Sequence, residues 1–390
     1  MLIHSIKLTN ILSFGPHSEV IRLRPLNIII GPNGSGKSNL LEAIDLLRNA
    51  PEQITRPVRE GGGISDWLWK GTRAPIACLE AVTEYPHGPQ NLRYTLTLAS
   101  VNQRCEIGDE KIENEAPLPG HEKPYFFYHF DSGHPTLNMK EKDGSGRALK
   151  PEGIDSERSI LAQRRDPEQY PEITYIAQEF GKIKLYREWS FGRYTAPRLP
   201  QKSDMPNDFL DSDGANLGLL LNKLRQIPET KQRILKALRL LCREADDFDV
   251  LIEGGAVQVF LQESGRFTVP ATRLSDGTLR FLFLLVILCH PNPPPLVCIE
   301  EPELGLHPDI LPSLADLLKE ASERCQLIVT THSDVLVDAM TDQPESVLVC
   351  EKDEKGTSMK RLNAEELKPW LEKYRLGELW IRGEIGGTRW

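Results

Sequence analysis

Residues 31–38 read Gly31-Pro-Asn-Gly-Ser-Gly-Lys37-Ser38, which matches the GxxxxGK[ST] pattern of a phosphate-binding loop. The short, β-branched run Leu26–Ile30 before it is typical of a buried strand. After it, apolar residues recur at helical spacing until Pro51. Glycines let backbone N–H groups turn towards phosphate oxygens, and a helix that begins at the loop adds the positive end of its dipole. The sequence therefore predicts a nucleotide-binding P-loop.

The polar residues of this loop have separate predicted roles. Lys37 supplies a positive charge to the β and γ phosphates, and the Ser38 hydroxyl can ligate Mg²⁺. The pattern alone does not separate kinases, GTPases and ATPases. It predicts that the nucleotide is bound by Asn33, Gly34, Ser35, Gly36, Lys37, Ser38 and Asn39.

The bulk composition is typical of a soluble globular chain. Its 390 residues suffice for one large domain or two ordinary ones, and 39% are hydrophobic and 26% charged. The net charge, 47 − 56 = −9, argues against a protein coated in nucleic acid but leaves room for a local basic groove. No leader follows Met1, the apolar run Leu279–Cys289 is too short to span a bilayer, and the seven cysteines form no CxxC pair. We expect a cytoplasmic protein with reduced thiols and no membrane partner.

Strand and helix patterns alternate along the chain. Alternating segments between 76 and 130 predict an antiparallel sheet, whereas 52–72 and 131–158 are rich in turn-forming residues and predict loops. Amphipathic helices are predicted within 217–243. A strand at Ser346–Cys350 is expected to lead into a helical tail.

Two adjacent acids follow a buried strand pattern in Leu296-Val-Cys-Ile-Glu300-Glu301. In P-loop enzymes the first acid at such a strand end lies near Mg²⁺, which predicts Glu300 as a metal ligand. The second can polarise the attacking water, which predicts Glu301 as a catalytic residue that acts as a general base or positions the water. In isolation, an exposed Glu-Glu-Pro turn is the alternative interpretation.

Two further features are suited to phosphate. Ser275 and Gly277 open a buried helix and offer a hydroxyl and free N–H groups at its dipole end, although an ordinary helix cap would look the same. His332 follows another buried strand, where an imidazole can sense a γ-phosphate, although a lone histidine is more often structural. The lysine, the Ser-Gly turn, the acid pair and the histidine follow in this order along one chain. Their joint occurrence by chance is much less credible than the chance occurrence of any single feature.

Together these motifs resemble those of ABC-type ATPase heads of the RecF/SMC/OLD-like group, an AAA-family ATPase type of bacterial defence or DNA repair. The matching segments are Asn10-Ile-Leu-Ser-Phe14, the phosphate loop as Walker A, RLSDGTLR (273–280) as the signature, IEEPELGLHP (299–308) as Walker B with its D-loop, and TTHS (330–333) as the switch histidine.

The resemblance implies an α/β fold, a P-loop NTPase of ABC-type ATPase head architecture, with a mixed central sheet, an antiparallel β lobe and a helical lobe. It would be a single discontinuous head, with its core in 1–75 and 245–350, a β and helical middle lobe in about 76–244, and a C-terminal helical tail in 351–390. The sequence has no heptads for an SMC coiled coil. No Toprim-like nuclease domain is expected after residue 341.

The resemblance also implies ATP and Mg²⁺ as cofactors and a homodimer in which Ser275 and Gly277 of one subunit close on ATP held by Lys37 of another. A glutamine is expected to contact Mg²⁺, with Gln163 and Gln178 as candidates. The implied function is an ATP-hydrolysing switch or sensor that controls a separate effector, for example of Toprim type, in antiphage defence or a toxin–antitoxin system. The alternatives are a RecF-like DNA-repair ATPase that binds DNA, and a non-hydrolysing ATP-bound scaffold.

Three other segments carry alternatives that the sequence leaves open. A basic, aromatic stretch, Gly181–Lys202, suits DNA or RNA, or else forms a half-buried sheet edge with solvated charges. Arginines of the Gly-rich segment either reach a phosphate across a dimer or hold a loop. Tryptophans of the tail either pack on the chain itself or dock a second subunit. These residues are Arg56, Arg59 and Arg73, and Trp370, Trp380 and Trp390.

Overall fold

A computed structural model describes residues 1–71, 76–131, 134–140, 147–151, 155 and 157–387. Arg73 and Trp390 lie outside the described residues. In chain order the elements are β1 (Ile3–Thr9), β2 (Ile21–Arg22), β3 (Leu26–Ile30), α1 (Lys37–Asn49), α2 (Thr55–Glu60), α3 (Ile64–Trp67), β4 (Ala77–Thr83), β5 (Leu92–Val101), β6 (Arg104–Asn114), β7 (Phe126–Asp131), β8 (His134–Lys140), β9 (Arg147–Pro151), α4 (Ile160–Gln163), α5 (Pro171–Gly181), β10 (Lys184–Tyr186), β11 (Gln201–Lys202), α6 (Leu217–Leu224), α7 (Pro228–Leu241), β12 (Ala245–Glu253), β13 (Ala256–Glu263), β14 (Phe267–Pro270), α8 (Asp276–Leu288), β15 (Leu296–Glu300), α9 (Leu311–Ser322), β16 (Gln326–Thr330), α10 (Asp334–Asp338), β17 (Val347–Asp353), β18 (Gly356–Arg361), α11 (Ala364–Leu371) and α12 (Leu376–Ile381).

The chain folds into two units, each discontinuous in sequence. Unit 1 contains residues 1–183, 348–362 and 385–390, and unit 2 contains 184–347 and 363–384. Among the described residues, no helix combines the length and the hydropathy needed to span a bilayer. The lobe boundaries expected from the sequence stay a prediction.

An antiparallel sheet occupies much of unit 1, with its described strands in the order β2-β1-β4-β5-β6-β7-β8-β9. Alternate side chains of β5 are buried, which is the pattern expected of a sheet with one face on a core. The prediction that 131–158 forms loops is wrong for the described part, because β8 pairs with β7 and β9 pairs with β8. The sequence did not predict these strands because their residues are mostly polar, and an outer strand of a sheet needs few apolar residues.

The phosphate loop follows β3, whose residues are all buried, and leads directly into α1. One prediction for the surrounding chain is wrong and another is incomplete. The predicted loop at 52–72 contains the short helices α2 and α3, which burial of Val58, Ile64 and Trp67 stabilises. The strand expected at 346–350 continues to Asp353 and returns as β18, so a hairpin precedes the helical tail.

Unit 2 contains a parallel group of strands, with β15 between β10 and β16. The strand β15 is buried from Leu296 to Ile299, and α8 is buried at almost every position from Leu279 onwards. A second, antiparallel sheet has β13 paired with β11, β12 and β14, and the helices predicted for 217–243 form as α6 and α7. In the tail α12 packs against α10, which buries Trp380, whereas Trp370 of α11 is 46% exposed.

A buried carboxyl group links the β sheet of unit 1 to the start of α4 through hydrogen bonds. The Glu110 carboxyl is 1% exposed and accepts hydrogen bonds from the Tyr94 hydroxyl (2.7 Å), the Ser159 hydroxyl and the Ile160 N–H (2.8 Å). Burial raises its pKa to about 7, although the three hydrogen bonds oppose the rise. Glu110 is therefore neutral in mildly acidic solution and becomes charged near neutral pH.

This group predicts a pH dependence of stability. Because its pKa is higher in the folded chain than in the unfolded one, its contribution is complete below the unfolded value and is lost as the pH rises through about 7. We expect the pH-dependent part of the unfolding free energy between pH 5 and 8 to shrink by on the order of 2–3 kcal/mol in Glu110→Gln. Denaturant unfolding at several pH values measures this; equal pH profiles for parent and variant would contradict the assignment.

Candidate nucleotide-binding site

The phosphate loop of unit 1 depends on glycines in conformations that other residues avoid. Gly36 has φ +112°, and a Cβ added there would lie 2.3 Å from Thr357 Oγ1 and 2.6 Å from Ser13 Oγ. Gly31 has φ +149°, and its added Cβ would lie 2.1 Å from the Cys350 carbonyl oxygen. A side chain at Gly31 would displace backbone, and one at Gly36 would displace the two hydroxyls packed against the loop.

Residues distant in sequence hold the loop in this shape. The Thr357 hydroxyl donates to the Ser35 carbonyl at 2.6 Å, and the Cys350 thiol donates to the same oxygen at 3.4 Å. The hydroxyls of Thr357 and Ser13 lie 2.7 Å apart, and the Asn39 amide donates to Ser13 Oγ at 2.7 Å. The hairpin β17–β18 and the Asn10–Phe14 segment therefore support the loop from both of its ends.

The loop presents charge and hydrogen-bonding groups that fit a nucleotide phosphate. Lys37 is only 6% exposed, and its ammonium group donates to the Gly31 and Pro32 carbonyls at 2.8 and 3.1 Å. The buried Ser35 hydroxyl has no hydrogen-bond partner among the described residues. No acidic residue lies in the first turn of α1, so no carboxylate there offsets the positive end of its dipole. The Lys37 charge and the unopposed positive end of α1 are suited to an anion.

In unit 2, Glu300 ends β15 and is paired with an arginine. The parallel register sets Tyr186 of β10 against Ile299, so the next residues, Arg187 and Glu300, are neighbours. Arg187 Nε donates to Glu300 Oε2 at 2.7 Å. The Glu300 carboxylate is a hard oxygen ligand suited to Mg²⁺.

Glu301 has a left-handed backbone, with φ +46°, which is rare for a residue with a side chain. Its N–H donates to the Thr330 carbonyl at 3.0 Å, which fixes the turn to the end of β16. Its carboxylate lies 3.4 Å from His332 Nε2. Backbone strain of this kind concentrates at functional sites, and here it brings the predicted catalytic acid next to the predicted switch histidine.

Glu303 orients the segment that carries His332. Its Oε1 accepts hydrogen bonds from the Thr331 hydroxyl (2.7 Å) and the His332 N–H (2.8 Å). Burial raises the pKa of Glu303 above its usual value, against the effect of these two hydrogen bonds. Its Oε2 is buried and has no hydrogen-bond partner among the described residues, so this part of unit 2 also has an unsatisfied polar group.

The turn Leu274–Gly277, which we call the signature turn, begins α8. Ser275 is exposed and caps the helix, accepting a hydrogen bond from the Thr278 N–H at 3.0 Å. A Cβ at Gly277 would lie 2.9 Å from the Gly305 carbonyl, so this turn and the segment after the acid pair touch within unit 2. The position of Ser275 is thus compatible with an ordinary helix cap and with phosphate binding, because a capping hydroxyl at an exposed helix start remains accessible.

Other predicted candidates are engaged elsewhere or exposed. The Gln163 amide donates to the Asp155 and Arg158 carbonyls at 3.0 and 2.6 Å and closes the turn before α4. Gln178 is exposed on α5, and Arg56 pairs with Glu60 on the surface. The predicted role of Gln163 in binding Mg²⁺ stays a prediction.

Most aromatic rings of the basic, aromatic stretch are partly or fully buried, whereas Lys182, Arg193 and Lys202 are exposed. Tyr186 and Phe191 are 2% and 5% exposed, and the guanidinium of Arg198 is buried. Tyr194 is the exception, at 81% exposed. Bases cannot stack on the buried rings of Tyr186 and Phe191, and the prediction that this stretch binds DNA or RNA stays a prediction.

Sequence reasoning missed several residues that shape the site. Thr357 and Cys350 gave no signal, because their contacts to the loop span more than 300 residues. Glu303 stands two positions after Glu301, but the sequence alone predicted no role for it. The structure groups the loop residues Asn33 to Asn39 in unit 1, and Glu300, Glu301, His332, Ser275 and Gly277 in unit 2. Their catalytic and binding roles stay predictions.

These features define a P-loop protein of the ABC-type, SMC-head-like AAA ATPase class. The chain belongs to the family described as "AAA domain, putative AbiEii toxin, Type IV TA system", whose model matches residues 26–338. No curated protein matches the chain. The class and the mixed α/β fold expected from the sequence are confirmed.

Solved structures of Smc heads share the fold. One, bound to the C-terminal winged-helix domain of ScpA, has a TM-score of 0.59 at 16% identity, covering 94% of this chain and 99% of that chain. Another, with an extended coiled coil and bound to the C-terminal domain of ScpA, derives from Pyrococcus furiosus; its TM-score is 0.57 at 14% identity, with 95% and 99% covered. A third, from Pyrococcus yayanosii, has a TM-score of 0.55 at 11% identity, with 95% and 99% covered. At these identities the likeness shows the fold alone.

The glycine geometry predicts a large difference between two neighbouring substitutions. Gly36→Ala should destabilise the chain by roughly 2–4 kcal/mol, since it combines a strained φ with a clash against Thr357 and Ser13. Gly34→Ala is the matched control, because Gly34 also has a positive φ, +78°, but its Cβ would meet nothing within 4 Å. It should cost about 1 kcal/mol. Denaturant unfolding compares them, and equal losses would show that the packing around Gly36 is unimportant.

Proposed function

We propose that the chain binds ATP through the phosphate loop of unit 1 and hydrolyses it. The observation that supports this most strongly is the loop itself, with Gly31 and Gly36 packed against backbone or hydroxyl oxygens, Lys37 drawn over the loop carbonyls, and the buried Ser35 hydroxyl without a partner among the described residues. These groups suit phosphate oxygens, and the family to which the chain belongs is one of AAA domains.

Different residues of the chain would bind the metal, activate the attacking water and contact the γ-phosphate. When bound, Mg²⁺ neutralises phosphate charge and orients the γ-phosphoryl group. Ser38 and Glu300 would hold the metal, and Gln163 is a further candidate. Glu301 would accept a proton from the attacking water or orient it, and His332, 3.4 Å from that carboxylate, would contact the γ-phosphate and register its loss.

We propose further that two copies of the chain close around ATP. Ser275 and Gly277 of one copy would complete the site formed by Lys37 of the other, because the exposed start of α8 offers N–H groups at a dipole end. ATP binding would then close the dimer and hydrolysis would open it. This switch would control an effector in toxin–antitoxin function or antiphage defence in the cytoplasm. The family description, a putative toxin of a type IV toxin–antitoxin system, supports the toxin–antitoxin part of this proposal.

Two substitutions separate binding from hydrolysis. Lys37→Ala should weaken ATP binding by roughly 30- to 100-fold, because it removes the charge that faces the phosphates. Glu301→Gln should bind ATP as the parent does but release phosphate about 10²–10³ times more slowly. Equilibrium binding of labelled ATP and steady-state phosphate release measure the two effects.

Glu323→Gln is the matched control for Glu301→Gln, because Glu323 is an exposed glutamate at the end of α9. It should retain the parent's rate. Parental turnover in Glu301→Gln would remove that residue from the mechanism. ATP binding by the parent without measurable turnover would instead indicate that the nucleotide is a structural ligand of a scaffold.

A further inference from the structure

One segment of unit 2 touches both the predicted metal-binding acid and the signature turn. Residues 187–198, which we call the clamp segment, begin with Arg187 after β10 and end with the buried Arg198. Composition suggested a nucleic-acid surface here, but the described contacts of this segment's two terminal arginines are internal. Their partners are the reason to assign the segment a different role.

At the first end, Arg187 neutralises Glu300. The Nε–Oε2 distance is 2.7 Å, and the two side chains are only 26% and 18% exposed. The arginine charge offsets the negative charge of this partly desolvated carboxylate, so Arg187 and a metal ion would compete for it. Arg187 thus places a positive charge beside the oxygen that Mg²⁺ would need.

At the other end, Arg198 binds the residues on both sides of Ser275. Its guanidinium donates to the Leu274 carbonyl at 2.6 Å and the Ala271 carbonyl at 3.2 Å, and it forms an ion pair with Asp276. The Arg198 side chain is 8% exposed, so its two hydrogen bonds to backbone carbonyls are shielded from water, whereas the Asp276 side chain is 72% exposed. A displacement of Arg198 must therefore move the signature turn or break several buried hydrogen bonds.

Between the two arginines, the clamp segment packs on α8. Trp189 and Phe191 lie edge-on to Phe283, with centroids 5.6 and 4.9 Å apart, and the Arg280 guanidinium lies 5.3 Å from each of their ring centroids. Arg198 Nε also donates to the Phe191 carbonyl at 2.7 Å. These contacts hold Trp189 and Phe191 on α8 and join Phe191 to Arg198, so most of the segment is fixed to one helix.

We propose that the clamp segment couples the metal-binding acid to the signature turn. Glu300 exchanges Arg187 for Mg²⁺ when the nucleotide binds, and Arg198 transmits the resulting shift of the segment to Ser275. Arg187 and Arg198 are positioning residues, because each acts through another group. This inference rests on the proposed function and adds to it the route by which metal loading reaches the surface that would meet a second copy.

The first test is the Mg²⁺ requirement of nucleotide binding, measured with a fluorescent, non-hydrolysable ATP analogue and the full chain. Arg187→Gln removes the positive charge beside Glu300 without adding bulk, so half-maximal binding should need about three- to tenfold less Mg²⁺ than in the parent. At saturating Mg²⁺ the two proteins should bind the analogue alike. Arg193→Gln is the matched control, because Arg193 belongs to the same segment but is exposed and contacts only the Tyr194 ring among the interactions described. It should leave the Mg²⁺ midpoint unchanged.

The second test is amide hydrogen exchange at residues 271–278, with and without the Mg²⁺-loaded analogue. In the parent, loading should change exchange in this turn. In Arg198→Lys, which retains the charge but not the branched donor, the Mg²⁺ midpoint should stay parental while the change in exchange is lost.

The outcomes distinguish this inference from the function on which it rests. A parental Mg²⁺ midpoint in Arg187→Gln, or a parental exchange response in Arg198→Lys, would overturn the coupling and leave ATP binding intact. Failure of the parent to bind the analogue at any Mg²⁺ concentration would overturn both.

Discussion

The glycine backbone of the phosphate loop is the constraint on which the rest of the structure depends. Gly31 and Gly36 have positive φ and have no room for a Cβ, because the Cys350 carbonyl and the Thr357 and Ser13 hydroxyls fill that space. The loop keeps its curvature only if the hairpin β17–β18 and the Asn10–Phe14 segment stay in place. Unit 1 is thus built from sequence at both ends of the chain, which explains why it is discontinuous.

In unit 2 the strand register and hydrogen bonds fix the positions of acidic residues, as close packing fixes the glycines of the phosphate loop in unit 1. The parallel register of β10, β15 and β16 brings Arg187, Glu300 and Thr330 to one edge of the strands. There Glu301 adopts a left-handed backbone beside His332, and Glu303 fixes the histidine segment through Thr331 and the His332 N–H. The acid pair, the histidine and the signature turn are therefore organised within one unit, so a change at Glu300 can reach Ser275 without leaving it.

Sequence patterns within short segments predicted the elements whose formation depends on neighbouring residues. The phosphate loop, the buried strands β3, β15 and β16, and the helices α6 to α8 follow from periodicity and turn residues, and the ATPase class follows from the order of the motifs. The strands β8, β9 and β18 were missed because polar strands carry little periodic signal. Thr357, which lies 322 positions from Ser35, and Arg198, which lies 78 from Asp276, were beyond local reasoning, since only the tertiary fold brings them to their partners.

We propose that two copies of the chain close around ATP at a composite site. Sedimentation equilibrium of Glu301→Gln, which should trap the nucleotide, tests this dimer when the mass is measured with and without Mg²⁺ and ATP. We expect the mass of one chain without nucleotide and of two chains with it. A single-chain mass at saturating, demonstrably bound ATP would contradict it.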